Sequence, residues 1–339
     1  MFMLDETHAV LSKPPSDKNT YTLGSIGGHN IAIACLPAGD MGENPAATVA
    51  TRMTSTFPGI RFWLMVGIGG GMPPKVRLGD VVVSTPAYAT PGVIQWDLGI
   101  AHQGNNFERC GALNRAPEEL RTAVTTLQAR HNHPEHATHL PAILEEVRSK
   151  GSDFPNLEGL KDVLFRADYH HIERIIQVKG KEDDNGNYDY CDTAAQIGMS
   201  DCWLCDTSKE VERPPRSSKI EIHYGLIASG NQVIKDAIRR NAINKQLGGD
   251  VLCFEMEAAG IMNSHPCLVI RGICGKSSTK SLVQILTTTI RLLRFSQELQ
   301  MAKICCYCGC CLCQRTVGDC CAPRCPLHAS SCRCSSVRE

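Results

Sequence analysis

Two carboxylates flank a methionine in Phe254-Glu255-Met256-Glu257-Ala258-Ala259-Gly260. One carboxylate at a strand-to-helix junction can accept hydrogen bonds from two vicinal hydroxyls, and Met256 beside it can pack on the apolar face of a sugar. Acids favoured by the macrodipole at a helix N-terminus fit the same residues, so both readings stand at this point. A second stretch, Gly67-Ile68-Gly69-Gly70-Gly71, has four glycines in five positions. A backbone so bare can approach a ligand closely and present N–H groups to it. No Gly-Lys-Ser/Thr follows, so this is not a Walker loop, and a tight strand-to-helix turn explains it equally well. A third group is Cys202-x-x-Cys205 with His170, His171 and Cys191 nearby. Cys202, Cys205 and His171 have the residue types and knuckle spacing of a structural zinc site, with unligated thiols in a loop as the competing reading.

These groups need elements to position them. Residues 61–66 (RFWLMV) read as a buried strand that runs into the glycines. Residues 80–84 (DVVVS), 220–228 (IEIHYGLIA), 251–254 and 268–274 (LVIRGIC) read as further strands. Residues 22–36 read as a hairpin ending in a buried strand, and 4–11, 46–54, 116–131, 232–246 and 256–263 as helices. Strands alternating with helices argue an α/β domain: three layers, with a central mixed, mostly parallel sheet between helices. From about 134 to 219 the chain turns polar and charged around KEDDNGNYDY, which reads as a long, loosely packed insertion.

Composition narrows the classes. Lys+Arg and Asp+Glu are both 35, so no basic excess marks a nucleic-acid surface. The longest apolar stretch, around 62–72, is broken by glycines and falls far short of the roughly 18 residues of a membrane span. The N-terminus has no basic region ahead of an apolar run, so a secretory signal is not expected and a cytoplasmic location is. Of 19 cysteines, eight lie in residues 1–303 and eleven in 304–339. The body thus uses cysteine sparingly, as proteins of reducing compartments do. The tail lacks apolar periodicity and is expected to be disordered, without a selected metal-binding role.

Taken in order, VGIGGG, LGDVVVS, HYGLIASGNQ, CFEMEAAG and CLVIRGIC resemble the purine nucleoside and uridine phosphorylase superfamily, which includes the methylthioadenosine/S-adenosylhomocysteine nucleosidases. CLPAG at 35–39 and AATVA at 46–50 fit the nucleoside-phosphorylase-like domains of fungal multidomain proteins. The resemblance covers residues 1–274, interrupted by the insertion, and leaves 275–303 as a divergent helical segment. It implies cleavage of an N-ribosidic bond in a purine nucleoside through an oxocarbenium-like transition state. Carried over by motif, Glu257 binds the ribose 2′- and 3′-hydroxyls, Met256 packs on the ribose, and Gly69 and Gly70 lie along the nucleoside. Val233 stands where relatives place an aromatic ring against the base. No cofactor is implied, the partner is a small nucleoside, and a homo-oligomer fits the family.

Departures from the family pattern bear on chemistry. Phosphorolytic relatives place an Arg three residues before a phosphate-touching Ser/Thr; those positions are Met65 and Ile68, which leans toward water over phosphate as co-substrate. The base-protonating Asp expected after RGIC is Gly275, which has no proton to donate. The water-activating Glu of the family's first helix is expected upstream of residue 1, and the divergence after Cys274 reads as an altered C-terminus. A nucleosidase-like domain and a catalytically inactive sensing module are therefore both expected readings.

Overall fold

The computed structural model describes residues 4–104, 106–131, 162–170, 172, 204–216 and 220–274. The segment 275–303, the cysteine-rich tail, Gly275 and most of the insertion lie outside the described residues.

A small sheet comes first. β2 (Tyr21–Ile26) and β3 (His29–Ala34) form an antiparallel hairpin, and β1 (Glu6–Thr7) adds to the edge of β2. Gly27 and Gly28 supply the positive φ of the tight turn (57° and 80°) that matches strand twist. The helix expected at 4–11 is not there. The Asp5 and His8 N–H groups instead donate to the Ser25 and Leu23 carbonyls at 2.8 Å, and Leu4 is buried. Eight residues are too few to stabilise a helix alone, whereas an open strand edge offers partners at once.

The main sheet contains β4 (Trp63–Gly71), β5 (Val81–Ser84), β6 (Val93–Gln95), β9 (Ile222–Ser229), β10 (Val251–Glu255) and β11 (Cys267–Ile273). Their order is β10-β4-β11-β5-β9-β6, and β10 also pairs with β9, so the sheet curls back on itself. Four pairings are parallel (β4–β11, β5–β9, β6–β9, β9–β10) and two antiparallel (β4–β10, β5–β11). The sheet is mixed and mostly parallel, as expected. Every residue of β5 and β11 is buried, which is why both read as unbroken apolar runs. An exposed hairpin, β7 (Gly99–Ala101) and β8 (Phe107–Arg109), follows β6 and has no apolar pattern that would announce it.

Helices cover both faces. Along β9, Ile227 joins a core with Ala46 and Ala50 of α1 (Glu43–Thr56). Its neighbours Leu226 and Ala228 join another with Ile243 of α3 (Ala237–Gln246). Alternate side chains of one strand thus bind two helical layers. α2 (Glu118–His131) buries Leu120, Ala123, Val124 and Leu127, and His131 Nδ1 lies 2.6 Å from the Tyr224 hydroxyl. α3 starts five residues later than expected, because the Asp236 carboxylate caps the Ile238 and Arg239 N–H groups.

Beneath β5 lies a charge network. Asp80 is fully buried and accepts hydrogen bonds from Arg216, from the backbone N–H groups of Arg77 (2.9 Å) and Glu221 (3.1 Å), and pairs with His223 Nε2 (2.9 Å). Asp162, from the insertion, pairs with Arg77 and Arg213. Phe165 and Cys205 are buried. These described parts of the insertion are therefore tied to the body, not loosely packed as the polar composition suggested. Asp80→Ala leaves Arg216 and two backbone donors without their shared acceptor. We expect it to cost about 3–5 kcal/mol, read as a lower urea midpoint at an unchanged slope.

Candidate active site

The site forms where β4, β10 and β11 meet the N-terminus of α1. Arg271 lies on β11 and is 3% exposed. A guanidinium so deep needs partners of opposite charge, and it has two. It donates to Glu255, whose side chain is fully buried, and through Nη1 to Glu257 Oε2 at 3.2 Å and to the Ile68 carbonyl at 3.3 Å. Arg271 is paired in register with Gly67 of β4. A Cβ on Gly67 would sit 2.1 Å from Nη1, so the bare strand gives the guanidinium its passage. The glycines expected to form a turn or a ligand loop are part of strand β4 itself.

Glu255 ends β10 and organises the residues after it. Its carboxylate accepts the backbone N–H groups of Glu257 (3.1 Å) and Ala258 (3.1 and 3.3 Å), while Ser229 Oγ accepts that of Ala259 (2.9 Å). These side chains satisfy the first N–H groups of the segment, which turns once as a 3-10 helix at Ala258–Gly260 in place of the helix expected over 256–263. The turn presents Glu257 at the edge of the sheet with 17% of its side chain exposed. Glu257 Oε1 accepts the Gly42 N–H at 3.3 Å and Oε2 takes Arg271. Each oxygen has two lone pairs, so each retains one for a hydroxyl donor.

The structure gathers some of the residues singled out from sequence and separates others. Met256 and Glu257 follow β10 directly, and Gly69 lies beside it: a Cβ on Gly69 would stand 2.9 Å from the Phe254 carbonyl. Gly70 is exposed and has open space at its Cβ position. Val233 is 62% exposed on the loop between β9 and α3. Met65 packs on the core, and the Ile68 carbonyl is engaged by Arg271. Cys202 and His171 lie outside the described residues, while Cys205 is buried. Among the described residues, Asp80, Glu221 and His223 could gather three metal-ligating atoms, but the Arg216 guanidinium already supplies the cation there.

Sequence reading did not single out a second layer. Glu43, the first residue of α1, accepts the Gln95 amide at 2.9 Å, and its backbone N–H donates to Asn231 Oδ1 at 3.0 Å. Asp97 accepts the Asn231 N–H at 2.7 Å and the Gln95 amide at 3.4 Å. Burial, then the charges of Asp97 and Glu255, raise the Glu43 pKa above its ordinary value, while the Asn231 and Gln95 side chains oppose the rise. Burial also pushes the Cys253 thiol well up and Cys267 to about 12, so neither supplies a thiolate nucleophile at neutral pH. The one available signal was Arg271: an arginine inside the apolar run CLVIRGIC has to find carboxylates.

Residues 4–142 match the family model described as the phosphorylase superfamily. The match covers this N-terminal part of the chain. Over 284 residues, or 81% of its length, it is 41% identical to a nucleotide-binding leucine-rich repeat (NLR)-like protein of Hyaloscypha variabilis. It spans about a quarter (25%) of that relative's length. Among solved structures it is similar to the 5′-methylthioadenosine/S-adenosylhomocysteine nucleosidase of S. pneumoniae, bound to a transition-state inhibitor. That similarity has a TM-score of 0.46 and 16% identity, over 88% of this chain and 92% of that one. The corresponding nucleosidase of Colwellia psychrerythraea, bound to adenine, gives 0.45 and 15%, over 88% of each chain.

Two glycines divide the work of β4. Gly67→Ala drives a methyl group into the Arg271 guanidinium and parts it from Glu255 and Glu257. We expect a loss of about 2–4 kcal/mol in chemical denaturation. Gly70→Ala, with nothing within 4 Å of the new Cβ, should change stability by less than about 1 kcal/mol.

Proposed function

We propose that this domain binds a purine nucleoside through its ribose and, where it turns over, cleaves the N-ribosidic bond with water. The observation that carries the reading is Glu257. It is held between Arg271 and the Gly42 N–H, with one lone pair on each oxygen still open to vicinal hydroxyls. Met256, next in the chain, would pack on the sugar, and Gly69 and Gly70 would let the nucleoside lie close to β4. The exposed position of Val233 supplies no stacking ring, so the ribose carries most of the recognition. Water is favoured over phosphate because Met65 and Ile68 offer no charged or hydroxyl side chain to an anion.

A second reading is a nucleoside-sensing module without turnover. It is favoured by the 41% identity to a quarter of an NLR-like protein, in which such a domain would be one part among several. Both readings need ribose binding and differ in base release. Calorimetric titration with adenosine, inosine, guanosine and methylthioadenosine tests the shared part. We expect at least one nucleoside to bind and its free base to bind more weakly. Glu257→Ala removes two hydroxyl contacts to a charged group and should weaken nucleoside binding by about 10- to 100-fold. Failure of all four nucleosides to bind would remove the reading. Adding phosphate should leave any base release unchanged; strict dependence on phosphate would reverse the choice of nucleophile.

A further inference from the structure

In the main sheet, burial follows pairing. β5 and β11 each have a strand on both sides, and every residue of each is buried. β4 is as apolar as β11, its neighbour, yet differs. Over 63–69 it pairs with β11, and β10 joins its other side only at Gly70 and Gly71. Among the described residues no strand pairs with that other side from 63 to 69, and the Ile68 carbonyl there is taken by Arg271. Trp63, Leu64, Met65, Val66 and Ile68 are all only half-buried. An open edge of large apolar residues pairs with whatever strand it meets, and proteins cover such edges.

The chain itself carries a strand to cover it. The described residues end at Cys274, whose N–H donates to the Gly69 carbonyl at 3.2 Å, so the chain leaves β11 level with the C-terminal end of that edge. Residues 275–280 (GKSSTK) are polar and suited to a turn. Residues 282–290 (LVQILTTTI) carry six β-branched side chains and no charge, Gly or Pro. β-Branching favours a strand here over the helix expected for 275–303, whose charged and unbranched residues gather from 291 onward. An uncharged run of this kind is itself prone to aggregate when left exposed. Crossing from β11 over β4 to its far side takes two strand spacings, about 10 Å, and six extended residues reach up to about 20 Å.

We propose that residues 282–290 dock as an edge strand on β4, antiparallel to 63–67, on the side away from β11. β11 runs parallel to β4, so a chain that leaves their shared end and turns back runs antiparallel to both. Its main-chain groups meet the N–H and C=O groups that alternate β4 residues turn to the open side. Its side chains alternate between the two faces of the sheet, beside Trp63 and Met65, which pack on the core, and beside Leu64 and Val66 on the opposite face. Covering the edge also fixes β4 where Gly67 lies against the Arg271 guanidinium. The inference does not rest on nucleoside binding.

The test uses the full chain, with amide hydrogen exchange and nuclear Overhauser contacts read residue by residue. Alternate N–H groups of 63–67 face β11, and the rest face the open side. With the edge covered, both sets should exchange slowly. Hα protons of 282–290 should contact those of β4 in a register that descends along β4. Neighbouring N–H groups of a strand face opposite ways, so one of Ile285→Pro and Leu286→Pro removes a donor aimed at β4. At least one of these variants should speed exchange of the outward β4 set by about tenfold or more, with β5 and β11 still protected; Ile285→Val should change neither. The wild-type contacts decide even where a proline variant fails to fold. Fast exchange of the outward set in the wild type, or no contact between 282–290 and β4, would overturn the proposal. Protection that survives both proline variants would give the edge to another occupant. Protection that rises with protein concentration would give it to a second copy, and either result would equally overturn the assignment.

Discussion

A guanidinium buried in the middle of a sheet is the constraint around which this site is arranged. Arg271 cannot reach water, so its charge is matched by Glu255 and Glu257, with the Ile68 carbonyl as a third acceptor. Removing either carboxylate would leave the buried cation with one ionic partner, and removing Arg271 would strand two anions. The three ionic side chains therefore act as a unit, and the strands that carry them are held to one geometry.

Several local features stem from that geometry. β4 needs glycine opposite Arg271, because any Cβ there would occupy the guanidinium's space. Glu255, fixed by Arg271, turns its carboxylate on the N–H groups of the next residues and ends the strand in a 3-10 turn. That turn brings Gly260 against the first residue of α1, and Glu257 against the N–H of Gly42. Residues 215 positions apart in sequence thus define one edge of the site. The small residues here serve approach: bare backbone at 42, 67 and 260 lets helix, turn and charged side chain come together.

This also explains which parts of the molecule could be read in advance. β5 and β11 are buried on both faces and appear in sequence as VVVS and CLVIRGI, so their strands were legible. The amphipathic pattern of α2 was legible for a related reason: Leu120, Ala123, Val124 and Leu127 bury one face at helical spacing. Residues 4–11 were misread because a single turn of apolar spacing fits a helix as well as a strand, and the β2 edge decided the outcome. Residues 256–263 were misread because their propensity is helical, while distant side chains took their N–H groups. The β7–β8 hairpin left no trace because its residues are all exposed. Glu257 was legible from its motif. Glu43 was not, since Gln95, Asn231 and Asp97 reach it only through the fold.

Two charge networks among the described residues divide along the same physical line. Around Asp80, every acid is engaged by cations: Arg77, Arg213, Arg216 and His223 face Asp80 and Asp162, and the result is a clasp between insertion and body. Around Arg271, acids outnumber the cation: Glu255 and Glu257 contact it, while Asp97 and Glu43 stand close behind. A network whose carboxylates are all taken by cations has little left to offer a hydroxyl donor. An acid-rich one keeps lone pairs open to hydroxyl donors, attracts positive charge as it develops, and holds one carboxyl group whose proton affinity is raised. An oxocarbenium-like sugar combines both demands, with hydroxyls to be held and positive charge to be stabilised. That imbalance of charge, more than any single residue, separates the Glu257 edge from the structural clasp.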